Sequence, residues 1–207
     1  KRLQVFLLIT SLTFTSFVYG QLKPYEFGKG FRYANPNGDF SIKFGLRFQS
    51  LFIADWNIRK DDLGYVEGLG TNFLVRRARL KFDGHAFSKK LKYKMELGLT
   101  NRDNGISDFD AQGGGANMML DAYFDYNFYE NFSLLVGQTK LPGNRERVIS
   151  SANMQFVDRS LLNSRFNLDR DMGIQLSHKV NIGKSKLNQT IAISQGEGRN
   201  ITAGNTG

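Results

Sequence analysis

Cysteine is missing from all 207 residues; proline occurs three times, histidine twice and tryptophan once. Without cysteine there is neither a disulfide framework nor a thiolate metal site. With His85 and His178 as the only imidazoles, a hydrolytic constellation of nucleophile, base and orienting group has little to start from. His178 falls on the apolar face of its segment, and Ser177 beside it points the other way. No enzyme activity, catalytic residue, metal ligand or cofactor is expected. The scarcity of proline leaves long unbroken β-segments open. Acidic side chains are also few, 19 against 28 Lys and Arg, for a formal charge of +9. Charge alone would admit nucleic acid as a partner, but the strand lengths below argue against it. The last absence is of helix-length apolar runs. Beyond residue 20 nothing approaches the roughly 20 apolar residues of a membrane helix.

What is present begins with a secretion pattern. Lys1 and Arg2 precede an apolar, Ser/Thr-bearing run over residues 3–18, closing on a small residue at Gly20. That order predicts a signal peptide over 1–20, followed by a periplasmic segment over 21–39.

From residue 40 the chain alternates. Phe40, Ile42, Phe44, Leu46, Phe48, Phe52 and Trp56 occupy even positions, and Ser41, Lys43, Arg47 and Gln49 the odd ones. Period-two alternation predicts a strand, here longer than the usual 3–10 residues. The pattern returns in 73–87, 91–102, 118–130, 132–141, 170–180 and 188–195, giving seven strands. Their connections run long (57–72), short (88–90), long (103–117), short (Glu130-Asn131), very long (142–169) and moderate (181–187). Such a bias is expected of a barrel with one end in the periplasm and the other outside. Phe40, Phe82, Tyr93, Tyr126, Phe128 and Phe132 then gather near the periplasmic interface, and Trp56 marks the opposite one. A soluble β-sandwich also alternates, but on shorter strands without that loop bias. The fold class expected is all-β, an antiparallel transmembrane β-barrel. Seven is an odd count for a bacterial barrel, so 40–207 reads as the N-terminal portion of one.

The polar side of these strands is basic. Residues 40–102 hold 13 Lys and Arg against 6 Asp and Glu. Arg77, Arg79 and Lys81 sit two apart, a ladder of about 7 Å per step. Lys43 and Arg47 precede it and Lys92 and Lys94 follow it on neighbouring strands, focusing positive potential on one wall. Asp121 and Asp125 would supply counter-charge and keep anions from binding too tightly to leave. Arg76, at an even position, is expected to face lipid.

Several stretches resemble the phosphate-selective porin O and P family: FLVRRARLKFDG (73–84), LKYKMELGL (91–99), LDAYFDYNF (120–128), VGQTKLPGNRERVISSANMQFVDRS (136–160) and RDMGIQL (170–176). The resemblance implies a 16-stranded outer-membrane barrel of a Gram-negative bacterium, usually a homotrimer, of which this chain would cover about the first seven strands. It implies a basic channel passing phosphate, polyphosphate or similar small anions, and a third long loop, here 142–169, folded inward as a constriction. Lys140, Arg145, Arg147, Arg159 and Arg165 would then join the anion pathway, and lipid and lipopolysaccharide would be the outer partners. The alternative reading is a receptor or adhesin barrel, or a general pore without phosphate selectivity.

Overall fold

A computed structural model describes residues 21–22, 30–58, 66–100, 103 and 117–200. The segment 1–20, expected as a signal, lies outside the described residues. Among the described residues nine strands form one antiparallel sheet in which each pairs with the next in sequence: β1 (Gln21–Leu22), β2 (Phe31–Ala34), β3 (Ser41–Ile58), β4 (Val66–His85), β5 (Leu91–Gly98), β6 (Met119–Tyr129), β7 (Phe132–Lys140), β8 (Arg170–Ile182) and β9 (Ser185–Ser194). Two short helices, α1 (Arg145–Val148) and α2 (Leu161–Arg165), interrupt the connection from β7 to β8. No ladder joins β1 to β9 among the described residues, so the sheet is part of a barrel wall.

The seven long strands are the ones the alternation marks. β1 and β2 add two short ones from the segment 21–39, where four residues or fewer give alternation too little length to register. Two expected loops prove shorter. The connection read over 57–72 is largely strand, because β3 runs on to Ile58 and β4 resumes at Val66. The 18 residues of β3 span about 60 Å, well past a hydrocarbon band of about 25 Å. Polar composition at that height therefore does not oppose pairing. The connection over 181–187 reduces to a two-residue turn, Gly183-Lys184, with Ile182 paired to Ser185. Gly183 supplies the left-handed conformation there, at φ +58.

One face of the sheet is apolar and open. Leu46, Phe48, Phe52, Trp56, Phe73, Ile191 and Ile193 are each more than 60% exposed, and the sheet's one buried hydrophobic side chain among the described residues is Leu120. Water penalises a continuous face of this kind, whereas hydrocarbon covers it. The aromatic belt expected near the short turns is present. Phe40 stacks on Tyr93 at 6.4 Å, Phe44 meets Phe82 at 5.2 Å and Phe132 stacks on His178 at 4.0 Å. Tyr93 lies directly across from Gly84 and donates its hydroxyl to Ser41 O at 2.9 Å. A Cβ on Gly84 would stand 1.9 Å from that same oxygen. Glycine is what lets β3 and the Tyr93 ring come so close.

Two β-bulges correct the expected facing of particular side chains. Gln49 pairs with Arg77 and Ser50 with Val75, leaving Arg76 as an extra residue in β4. A bulge of one residue reverses the alternation. Below it Ala78, Leu80 and Phe82 stand opposite the apolar residues Phe48, Leu46 and Phe44; above it Val75, Phe73 and Leu69 take over, opposite Ser50, Phe52 and Trp56. Leu74 and Arg76, placed on the lipid side by the simple even–odd reading, therefore belong to the other face. The second bulge sets Glu96 and Leu97 against Asp121 and Met119. It turns Leu120 inward, where Gly98 makes room for it: a Cβ on Gly98 would lie 3.3 Å from Leu120 Cδ1.

Candidate anion pathway

The polar face owes its charge to the odd positions of β3, β4 and β5, and its depth to the β7–β8 connection laid across it. That connection is held by its own side chains. Asn144 Oδ1 accepts from Arg147 N to cap α1, and Ser160 Oγ accepts from Asn163 N to cap α2. The Glu146 carboxylate takes Ser160 N at 2.7 Å and Ser160 Oγ at 2.8 Å, which holds it below the ordinary Glu range. Arg159 donates to Glu146 O at 3.1 Å and Ile149 O at 2.9 Å.

The loop meets the wall through arginines. Arg47 Nη2 donates to Ser151 Oγ at 2.9 Å, and Arg79 Nη1 reaches the same hydroxyl at 3.3 Å. Arg77, 3% exposed, donates to Val157 O at 2.9 Å and Gln49 Oε1 at 3.3 Å. Arg76 grips Asp158 through Nε at 3.0 Å, and Arg77 approaches that carboxylate at 3.5 Å. Arg76 is a loop contact.

A chain of alternating charges runs beneath. Arg79 Nε donates to Asp103 at 2.8 Å and Nη1 to Glu96 at 3.2 Å. Lys94 Nζ lies 3.0 Å from Glu96 and also binds Asp121. Arg170 Nε donates to Asp121 at 2.6 Å, and its Nη1 stands 3.6 Å from Asp169, which accepts from Arg147 Nε at 2.7 Å. Burial alone would raise Asp169, but the hydrogen bond and charge of Arg147, with Arg170, bring its carboxyl below the usual Asp range. Asp103 behaves alike: burial opposes ionisation, and Arg79 overrules it. Four cations and four carboxylates thus cancel along this chain. Glu96, Asp103, Asp158, Asp169 and Arg170 were not among the expected site residues. Glu96, two positions from Lys94 on the same face, was the one partner that spacing alone could have offered.

Some of the basic residues outside the chain are left with charge to spare. Among the described residues Arg47 hydrogen-bonds Ser151 alone, and its Nε is buried without a hydrogen-bond partner. Among the described residues Lys140 Nζ meets carbonyl oxygens alone, Val148 O and Ile149 O, each at 3.3 Å. Arg159 likewise binds carbonyls; burial, then the nearby Arg147 and Arg170, push its guanidinium below the ordinary Arg value. Lys81 pairs with Asp83 at 3.0 Å. Lys43 and Arg47, with Arg79, Lys81 and Lys94, line a recess of about 750 Å³ whose far side is Ser150 and Ala152 of the loop. Lys92 is exposed across the ladder from Asp125. Arg145 and Arg165 are exposed on the loop itself, away from these contacts. The structure thus gathers Arg47, Arg77, Arg79, Lys140 and Arg159 around the loop, with Lys43, Lys81, Lys92 and Lys94 running toward the short turns.

Long antiparallel strands with an exposed apolar face, an aromatic belt and a charged opposite face crossed by a folded loop make the wall of a porin. The model of one family, described as phosphate-selective porin O and P, matches residues 42–206, and the chain belongs to that family. No curated protein matches it. Membership makes the protein an outer-membrane porin.

Proposed function

We propose that the full protein is an anion-selective channel through which phosphate and related small anions diffuse across the outer membrane. The observation that carries this reading is the set of cations meeting neutral oxygens: Arg47 on a hydroxyl, Lys140 and Arg159 on carbonyls. An anion entering a pore sheds water, and uncancelled guanidinium and ammonium groups replace it. The β7–β8 connection is the constriction of this channel, and the recess between it and β3–β5 is the passage. Export by the signal segment 1–20, a homotrimeric assembly and lipopolysaccharide around the apolar face complete the picture.

Planar-bilayer recording of the full-length protein under a KCl gradient is the test. Conductance with a reversal potential favouring chloride, and a chloride current that millimolar phosphate blocks, are expected. A cation-preferring pore, or a folded barrel that never conducts and acts as a receptor, would refute the reading.

A further inference from the structure

Beyond β9 the chain does not leave the sheet. Residues 195–200 fold back across β8 and β7 as far as β6, at the end opposite the short turns. Gln195 N donates to Met172 O at 3.0 Å and Gly196 N to Asp171 Oδ2 at 2.5 Å, both on β8. Asn200 then closes a reciprocal clasp with Gln138 of β7. Its backbone N–H donates to Gln138 Oε1 at 2.8 Å, and Gln138 Nε2 donates back to Asn200 Oδ1 at 3.1 Å. Asn200 Nδ2 goes on to Met119 O of β6 at 2.9 Å. Gln138 is buried, and a buried amide bonded at both ends to one partner fixes a single arrangement of the strap.

The clasp places the residue before it. Arg199 Nη2 donates to the main-chain oxygen of Asp103, whose carboxylate is already held by Arg79. The charged groups that act on Arg199 are Asp169, Arg170, Asp103 and Arg147. All four belong to the balanced chain of the polar face. Among the described residues no ion pair joins Arg199 to a carboxylate, and Glu197, two positions earlier, is exposed. The chain cancels without Arg199, so this guanidinium adds a positive charge that the chain does not neutralise.

We propose that the strap 195–200 is a second inward-folded element of the pathway, and that Arg199, positioned by the Asn200–Gln138 clasp, is a cation that small oxyanions meet there. A guanidinium bonded to one carbonyl keeps further N–H donors for an oxyanion. Asn200 and Gln138 touch no solute; they are positioning residues. This rests on the reading of the protein as an anion channel.

The test is block by inorganic phosphate of chloride current through the full-length protein in planar bilayers. Arg199→Gln should weaken the block about tenfold, the scale of one hydrogen bond to a charged group. Arg199→Lys, which keeps the charge, should stay within about threefold of the parent. Asn200→Gly removes the clasp side chain without backbone strain, because φ there is +59. It should weaken the block about threefold in the parent and less than about twofold in Arg199→Gln, since the clasp acts through that guanidinium. Unchanged block in Arg199→Gln overturns the proposal. So does a lysine variant as weak as the glutamine one, or an equal loss from Asn200→Gly in both backgrounds. A parent protein that phosphate does not block, or one that does not prefer anions, sinks the channel reading instead.

Discussion

Arg170 of β8 reaches over β7 to Asp121 of β6, Nε to Oδ1 at 2.6 Å, with both side chains at least 96% removed from solvent. The pair fastens the end of the long loop to the wall, since Asp169 follows the same guanidinium. Desolvated pairs contribute little against an apolar substitute, but removing one partner strands the other.

Arg170→Met and Asp121→Asn should therefore each destabilise the barrel by about 3–5 kcal/mol. The double variant should cost less than the sum of the two, because the second change removes the buried charge that the first left short of a partner. Denaturant titration of detergent-folded protein measures all three. Strict additivity would mean that the two groups act independently of each other.

The bulge at Arg76 makes a separate prediction, and the absence of cysteine makes it clean to check. Single cysteines at Arg76 and Leu74 should react with a membrane-impermeant thiol reagent in liposomes, while cysteines at Phe73 and Val75 should not. If the even–odd pattern ran unbroken through β4, the two pairs would behave the other way round.

That bulge also marks the limit of what the sequence discloses. Seven long strands, the aromatic belt and the basic face were legible, because alternation and composition are local. A bulge inserts one residue without changing composition, so Leu74 and Arg76 carried no sign of their reversal. Salt-bridge partners were hidden for another reason. Arg79 finds Asp103 24 positions away and Arg76 finds Asp158 82 positions away. Only a sheet register and a folded loop bring them together. The expected ladder of Arg77, Arg79 and Lys81 thus divides into a loop anchor, a neutralised strut and an ion-paired lysine.

Arg47 and Arg79 share Ser151 yet should fail differently when replaced. Arg47→Gln removes a charge whose Nε is buried and unpartnered, so stability should change by less than about 1 kcal/mol while phosphate block weakens severalfold. Arg79→Gln leaves Asp103 and Glu96 without their shared cation, so its main effect should be lost stability of about 3 kcal/mol or more. Denaturant midpoints and bilayer block, measured on both variants, separate binding from scaffolding. Equal losses of stability would place Arg47 in the scaffold too.

Acid should release the loop from the wall at a pH set by Asp169. Its carboxyl titrates below the ordinary Asp range of about 3.9, since Arg147 and Arg170 outweigh its burial. A group depressed in the folded state stabilises it fully above the unfolded value and loses that contribution as pH falls through the folded one. The Asp169 latch to Arg147 should thus hold unchanged from pH 8 down to about pH 5 and weaken below about pH 4. A spin label on a cysteine replacing the exposed Arg165 reports it: narrow mobility change down to pH 5, then a mobile spectrum. Asp169→Asn should show the mobile spectrum already at pH 7, because an amide keeps the shape but surrenders the charge that two arginines hold. A transition centred above pH 5, or an Asp169→Asn spectrum identical to the parent's, would mean that another contact secures the loop.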